Sequence, residues 1–208
     1  MINDTSKDRV EYFEALGQTY KFTILTTFNK ENVNRIWNLW SSYGGDRLKS
    51  NYTEEALIRT IRAQRFDLGF FIVERDEKVV ASFGLTLYNG WAIGTRYIKH
   101  TKKIEPIAAV VIAPFLRKYL GDRVEGMAVA YNSEEKRTLS LFNEKTDRLF
   151  VYRNLSDDDL KHLNEFRELD YEVYYRSTRQ RVFYAPYKEG AKPTFERYTG
   201  NNDRIQSS

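Results

Sequence analysis

The chain contains no cysteine and only two histidines among its 208 residues. Without thiols it can form no disulfide, no thiolate zinc site and no cysteine nucleophile. Two histidines, His100 and His162, are too few for a metal centre built from imidazoles. We therefore expect no metal site, and we expect both histidines to lie at the surface because their sequence surroundings are polar.

Long apolar runs are also missing. No stretch approaches the roughly 18 apolar residues of a membrane span, and the first eleven residues are polar and charged, unlike a signal peptide. We expect a cytoplasmic protein with no membrane partner. The 33 basic and 29 acidic residues give a net charge of only +4, so a nucleic-acid partner is possible but not favoured.

The length and the 41% hydrophobic content are enough for one well-buried core. We predict a single domain over residues 1–208. Residues 1–20 lack clear periodicity, and residues 188–208 are rich in Gly, Asn, Lys and Ser. Both ends are therefore predicted to be arms around a core at about 21–187.

The first half of this core predicts a strand, two helices and a meander. Residues 21–27 alternate like a strand, and residues 29–40 and 54–64 carry apolar side chains at helical spacing. Two β-rich runs, 70–75 and 79–88, flank a charged turn. Asn89-Gly90 then predicts a tight turn into a third strand, 91–98, because both residues tolerate positive φ.

The second half begins with a basic segment and a largely apolar stretch, 104–120, which we interpret as a buried helix that Pro114 kinks or ends. Its middle, 107–113, is also compatible with a buried strand. The remaining predictions are a strand at 123–130, a polar helix at 134–142 and a strand or helix continuation at 148–152. A short helix at 156–166 and a closing hairpin at 171–187 follow.

This order of elements resembles the GNAT superfamily of N-acetyltransferases over about 21–187. The resemblance implies an α/β fold, with a mixed, mostly antiparallel sheet flanked by helices. It also implies acyl-coenzyme A, most simply acetyl-CoA, as cofactor, lying where the fourth family strand parts from the fifth. Here those strands are 91–98 and 123–130. Backbone groups of strand 91–98, as far as Tyr97 and Ile98, would hold the oxyanion and the pantetheine.

The family places the pyrophosphate on backbone N–H groups at the start of the following helix. The corresponding stretch here is His100-Thr101-Lys102-Lys103-Ile104-Glu105, which has none of the glycines of the family loop. Lys102 and Lys103, beside the N–H of Ile104, are the candidates to supply charge in their place. The alternative is that both are solvated loop lysines.

After the fifth strand, family members often carry an asparagine and, further on, an acid tyrosine that protonates the leaving thiolate. Asn132 matches the first, whereas apolar residues, Leu139, Leu141 and Phe142, occupy the tyrosine spacing. Tyr131 is the candidate substitute, with a core or rim side chain as the alternative. The segment 148–166 lies beyond the family plan and is either a lid or a surface insertion.

Two strand carboxylates, Glu74 and Glu125, are candidate general bases, because a buried carboxylate has a raised pKa suited to deprotonating an ammonium. Solvated strand glutamates are the alternative for both. The Arg- and Tyr-rich hairpin 171–187 could stack bases and hold phosphates, or simply face solvent.

The sequence therefore favours an acyl-CoA-dependent N-acyltransferase acting on a small-molecule or peptide amine. Two alternatives stay open. One is a GNAT-like binding or assembly module that has lost the chemistry, which fits the missing glycines and the missing tyrosine. The other is a protein that binds or modifies nucleic acid.

Overall fold

A computed structural model describes residues 8–43, 53–62, 66–100, 107–132, 166–175 and 178–199. The described residues fall into two compact units. One contains the residues up to Leu87 together with the stretch from Gly94 to His100, and the other contains Tyr88–Ile93 and the residues from Ile107 onward. The predicted single domain stays a prediction.

Strands of the first unit follow one another in sequence order. They are β1 (Arg9–Ala15), β2 (Gln18–Leu25), β3 (Gly69–Arg75), β4 (Lys78–Tyr88) and the later part of β5 (Trp91–Lys99). The register pairs Ala15 with Gln18 and Arg75 with Lys78. Two-residue turns therefore join β1 to β2 and β3 to β4. Asn89-Gly90 separates β4 from β5, its neighbour in the sheet, and the predicted meander is confirmed.

The prediction of an N-terminal arm over residues 1–20 was wrong where the structure describes it. β1 pairs antiparallel with β2 along its whole length. Leu16 and Gly17 form the turn between them with φ of 53° and 66°. The side chains of β1 are exposed or only partly buried, so this edge strand shows little of the apolar alternation that predicts a strand from sequence.

Two helices supply the core of the first unit. They are α1 (Lys30–Tyr43) and α2 (Glu54–Arg62), close to the predicted bounds. Apolar residues of both helices pack against β2 and β3, because their periodic side chains need a sheet face to cover them. The buried cluster consists of Leu25, Ile36, Trp40, Leu57, Ile61, Phe66, Phe70 and Ile72.

The second unit contains the start of β5 and three longer elements. They are a helical stretch, made of a π-helical segment (Ile107–Ile112) and α3 (Ala113–Leu120), and the strands β6 (Gly126–Asn132) and β9 (Thr178–Pro186). The sheet order is β5-β6-β9-β7, where β7 is Arg167–Glu168, and β8 (Val173–Tyr175) also pairs with β9. β9 pairs antiparallel with β6, β7 and β8.

Pro114 does not end the apolar helical stretch, which continues through α3 to Leu120. It lies in the first turn of α3, where its missing N–H costs no backbone hydrogen bond. The π-helical segment ends at Ile112, directly before α3. The change from π to α hydrogen bonding therefore falls beside Pro114, which has no backbone N–H to donate. The alternative of a buried strand at 107–113 is also wrong.

Up to Thr199, the C-terminal segment is not the arm that the sequence predicts, because it packs into the second unit. Phe195 and Ala191 pack against the buried cluster of the second unit, and Tyr88 contacts the Phe195 ring. The N–H of Tyr198 donates to the carbonyl of Glu172 at 2.8 Å. These contacts come from distant parts of the chain, so the local composition gives no sign of them.

The predicted fold class, mixed α/β with a mostly antiparallel sheet flanked by helices, is confirmed. The predicted polar helix, 134–142, the segment 148–152 and residues 156–165 lie outside the described residues. Within the described part of the chain, no helix is long and apolar enough to cross a membrane.

Candidate functional site

Strands β5 and β6 begin side by side in the second unit. The N–H of Glu125, just before β6, donates to the carbonyl of Gly90, just before β5, at 2.8 Å. Because the two strands are neighbours in the sheet and start at the same end, they run parallel. The π-helical segment and α3 form the crossover that a parallel connection requires. Within β5 the chain changes from the second unit to the first between Ile93 and Gly94.

Gly126 allows the start of β6 to pack this closely. A Cβ at this position would lie 2.5 Å from the Trp91 ring, 2.5 Å from the carbonyl oxygen of Ala185 and 2.9 Å from Cα of Pro186. These distances are too short for any side chain. Glycine is therefore needed where β6 meets its two neighbouring strands.

At its far end, β5 is joined to β4 through His100. Nε2 of the imidazole lies 2.7 Å from Oγ of Ser82, and the backbone N–H of His100 donates to the carbonyl of Val80 at 2.9 Å. Burial lowers the pKa of His100 to about 4, so the ring is neutral at pH 7. The prediction of a surface histidine was wrong here, because the sequence shows polar neighbours but not the buried Ser82 beneath the ring.

Thr95, within β5, is another polar residue whose environment sequence reasoning missed. Its side chain is 6% exposed, and its hydroxyl has no hydrogen-bond partner among the described residues. A buried hydroxyl without a partner is costly, and it is the kind of group that a ligand can satisfy. Its position in an apolar strand gives no sequence signal of this, since threonine is common in strands.

Glu74, a predicted general base, lies on β3 as expected. It faces Lys21 of β2 across the strand pair, with Oε2 2.9 Å from the Lys21 Nζ and the carboxylate side chain 21% exposed. A cross-strand ion pair therefore holds this carboxylate. Its proposed role as a base stays a prediction.

Glu125, the other predicted base, precedes the strand on which it was placed, because β6 begins at Gly126. Its carboxylate lies 2.7 Å from the Lys188 Nζ, and 42% of its side chain is exposed. Six residues of strand separate it from Tyr131, about 20 Å at roughly 3.3 Å per residue. The structure therefore does not bring Glu125 together with the predicted acid.

Backbone positions are described for four other predicted residues. Tyr97 and Ile98 are near the end of β5, where Ile98 packs partly buried against the core of the first unit. Tyr131 and Asn132 are the last residues of β6 and pair with Arg181 and Gln180 of β9. Lys102, Lys103 and Ile104 lie outside the described residues.

The Arg- and Tyr-rich hairpin of the second unit carries its own counterions. Arg179 forms an ion pair with Glu172, and Arg181 forms one with Glu168. The Arg179 guanidinium also lies 5.6 Å from the ring centre of Tyr198, within the range of a cation–π contact. These two arginines therefore have protein partners within the hairpin region, as the solvent-facing interpretation expects.

No protein-family model matches the chain, and no curated protein matches it. Among solved structures it is similar to the N-acetyltransferase PseH of Campylobacter jejuni in complex with acetyl coenzyme A, at 10% identity over 80% of this chain and 98% of the other, with a TM-score of 0.43. It is also similar to the Escherichia coli ribosomal-protein-S18-alanine N-acetyltransferase, at 11% identity over 84% and 99%, with a TM-score of 0.47. A putative GnaT-family acetyltransferase from Bordetella pertussis shows 9% identity over 84% and 99%, with a TM-score of 0.49.

Proposed function

We propose that the protein is an acyl-CoA-dependent N-acyltransferase acting on a small-molecule or peptide amine. The observation that carries the proposal is the parallel start of β5 and β6, joined by a helical crossover. In the GNAT plan this pair is the fourth and fifth strands, between which the cofactor lies.

The described residues of β5 fit such a cofactor. Pantetheine carries two amide groups and is held in this family by polar groups of the fourth strand. Thr95 offers a buried hydroxyl with no partner among the described residues, on the strand to which the pantetheine is assigned. Backbone groups around Tyr97 and Ile98 would orient the thioester, and Lys102, Lys103 and the N–H of Ile104 would compensate the phosphates.

When bound, acyl-CoA supplies an activated acyl group as a thioester. Transfer to an amine would form a nitrogen–acyl bond as the carbon–sulfur bond breaks, so one proton would have to leave the amine nitrogen and one would have to reach the thiolate. Tyr131 is the proposed donor of the proton to the thiolate, with Asn132 beside it. Glu74 is the better of the two proposed bases by burial, at 21% exposed against 42% for Glu125.

Two measurements together test the activity. Calorimetric titration of the full chain with acetyl-CoA should show saturable binding, and release of the CoA thiol should then rise on addition of a polyamine, an aminosugar or a peptide with a free N-terminus. Binding without release for any amine class would favour the binding or assembly module. Absence of both heat and a thermal shift at millimolar acetyl-CoA would overturn the cofactor assignment.

A further inference from the structure

β1 is the edge strand of the first unit and lacks most of the features that protect an edge. Among the described residues it pairs only with β2, over all seven of its residues, and it contains no proline, no lysine and no β-bulge. In the second unit, by contrast, the edge strand β7 consists of two exposed charged residues, Arg167 and Glu168. Natural sheets protect their edges by such means, because free N–H and C=O groups along an edge otherwise pair with another strand. The edge at β1 is therefore open to a further strand.

The free backbone groups of this edge belong to alternate residues of β1. The two-residue turn after β1 has positive φ at both positions, so the residues that flank it, Ala15 and Gln18, exchange backbone hydrogen bonds. Hydrogen-bonded and non-hydrogen-bonded positions alternate along an antiparallel pair. Val10, Tyr12 and Glu14 therefore direct their N–H and C=O groups away from β2, toward the open side of the strand.

Two of these residues also carry exposed apolar side chains. Tyr12 is 64% exposed and Val10 is 42% exposed, and within the described residues only one other large apolar side chain, Leu87, is exposed. Because alternate side chains lie on the same face of a strand, Val10 and Tyr12 are neighbours on one face of the edge. A strand added at this edge would cover both side chains and would also pair with the outward backbone groups.

A second copy of β1 fits this edge best in one register. Its outward groups must meet the outward groups of the first copy, so even-numbered residues face even-numbered residues. The antiparallel register centred on Tyr12 overlaps all seven residues of the strand and sets Val10 opposite Glu14. The neighbouring registers, centred on Glu11 or Phe13, overlap fewer residues. The first of them also sets Glu11 against Glu11, a like-charge pair that destabilises a sheet.

The charged side chains of β1 have partners on their own strand pair. Arg9 Nε lies 2.7 Å from a carboxylate oxygen of Glu11, and the Thr19 hydroxyl donates to the Glu14 carboxylate. In the register centred on Tyr12, no two like charges of the strand lie directly opposite each other. Charge therefore does not oppose the pairing of two copies of β1.

We propose that the protein forms a two-fold symmetric dimer in which β1 of one copy pairs antiparallel with β1 of the other, centred on Tyr12. Each copy contributes the same residues to the contact, as in most homodimers, and the sheet of one copy continues into the other. The dimer goes beyond the proposed acyltransferase function, since the contact uses neither β5 nor β6, and each proposal can hold without the other.

The test places like or opposite charges at the two-fold axis. Sedimentation equilibrium should show a dimer for the wild type. Tyr12→Lys and Tyr12→Glu should each raise the dimer dissociation constant by about tenfold or more, because each sets two like charges directly opposite one another. An equimolar mixture of the two variants should restore the dimer, because opposite charges then meet. Leu87→Lys, at the exposed apolar residue of β4, is the matched control and should dimerise like the wild type.

A second pair of variants tests the same register away from the axis. Because Val10 lies opposite Glu14 in the dimer, Val10→Glu should weaken the dimer, whereas Val10→Lys should retain it. These two variants also decide the proposal if those at Tyr12 do not fold.

Three results would overturn the proposal. A wild type that stays monomeric at high protein concentration would show that β1 does not pair with a second copy. Tyr12 variants that dimerise like the Leu87→Lys control would place the contact between copies elsewhere. A mixture of the Tyr12 variants that stays monomeric, or equal weakening by Val10→Glu and Val10→Lys, would exclude the register centred on Tyr12.

Discussion

The His100 side chain makes the stability of the first unit depend on pH. Its pKa falls from the ordinary value of 6.5 to about 4 in the folded protein because the ring is buried. Between these two values the unfolded chain binds a proton at this imidazole that the folded chain does not. The contribution of His100 to stability is therefore complete above pH 6.5 and is lost as the pH falls through this window toward 4.

The direction of this pH dependence can be checked by urea unfolding at several pH values. The free energy of unfolding of His100→Gln should fall less steeply from pH 6.5 to 4 than that of the wild type, because one proton-binding group is removed. His162→Gln, at the other histidine, should keep the part of the slope that His100 contributes. Identical slopes for wild type and His100→Gln would contradict the burial of the ring.

Gly126 sets the closeness of β6 to its neighbours. Gly126→Ala should lower the free energy of unfolding by about 1–3 kcal/mol, because the new Cβ overlaps the Trp91 ring and the backbone of β9. Gly190→Ala is the comparison, since its Cβ would meet nothing within 4 Å and only its φ of +73° is unfavourable. Denaturant titration should show the larger loss for Gly126→Ala, and a loss no larger than that of Gly190→Ala would contradict the tight packing.

At the scale of elements, turn chemistry was the most reliable sequence signal. Asn89-Gly90 predicts a tight turn, and both residues have positive φ, 48° and 80°. The charged turn before β4 has the same form, with Asp76 at 49° and Glu77 at 60°. In contrast, the Leu16-Gly17 turn was missed because leucine rarely adopts positive φ and the strand before it carries no apolar alternation.

The Asp76-Glu77 turn leads to a prediction of its own. Glu77→Gly should stabilise the protein by about 0.5–1 kcal/mol, because glycine adopts a φ of 60° without steric cost and Asp-Gly is a favoured two-residue turn. Lys78→Gly, one residue later in the regular strand, should destabilise it instead. Thermal unfolding distinguishes the two, and a lower Tm for Glu77→Gly would show that the turn does not have this backbone conformation.

At the scale of the whole molecule, periodicity and turns predicted the fold class, since α1, α2 and the meander depend on local patterns. The apolar patterns of the sequence also predict five core residues, Trp37, Ile61, Phe71, Val110 and Val129. Ile61, Phe71 and Val110 are buried, and Trp37 and Val129 are half-buried. What depends on distant contacts was missed. The packing of Phe195, the pairing of β1 and the Ser82 contact of His100 each join residues far apart in the chain.

From the sequence, the candidate site was predictable only as the ends of two strands, β5 and β6. Tyr97, Ile98, Tyr131 and Asn132 follow from the element order, because each lies near the end of β5 or β6. The structure adds three polar groups: Ser82 and Thr95 lie within strands, and His100 directly follows one, and these residue types are ordinary at such positions. Their role depends on burial, which one sequence does not give.

The central claim is that the chain binds acyl-CoA through the segment after β5. It is tested most directly by titrating acetyl-CoA into the wild type, into the double variant Lys102→Glu with Lys103→Glu, and into a control with Lys30→Glu and Lys118→Glu, two exposed lysines with the same total charge change. We predict saturable binding by the wild type and the control, and a Kd raised by more than about tenfold, equivalent to about 1.4 kcal/mol, in the double variant at nearly unchanged thermal stability. Equal affinity in wild type and double variant, or no binding by the wild type at millimolar acetyl-CoA, would contradict the claim.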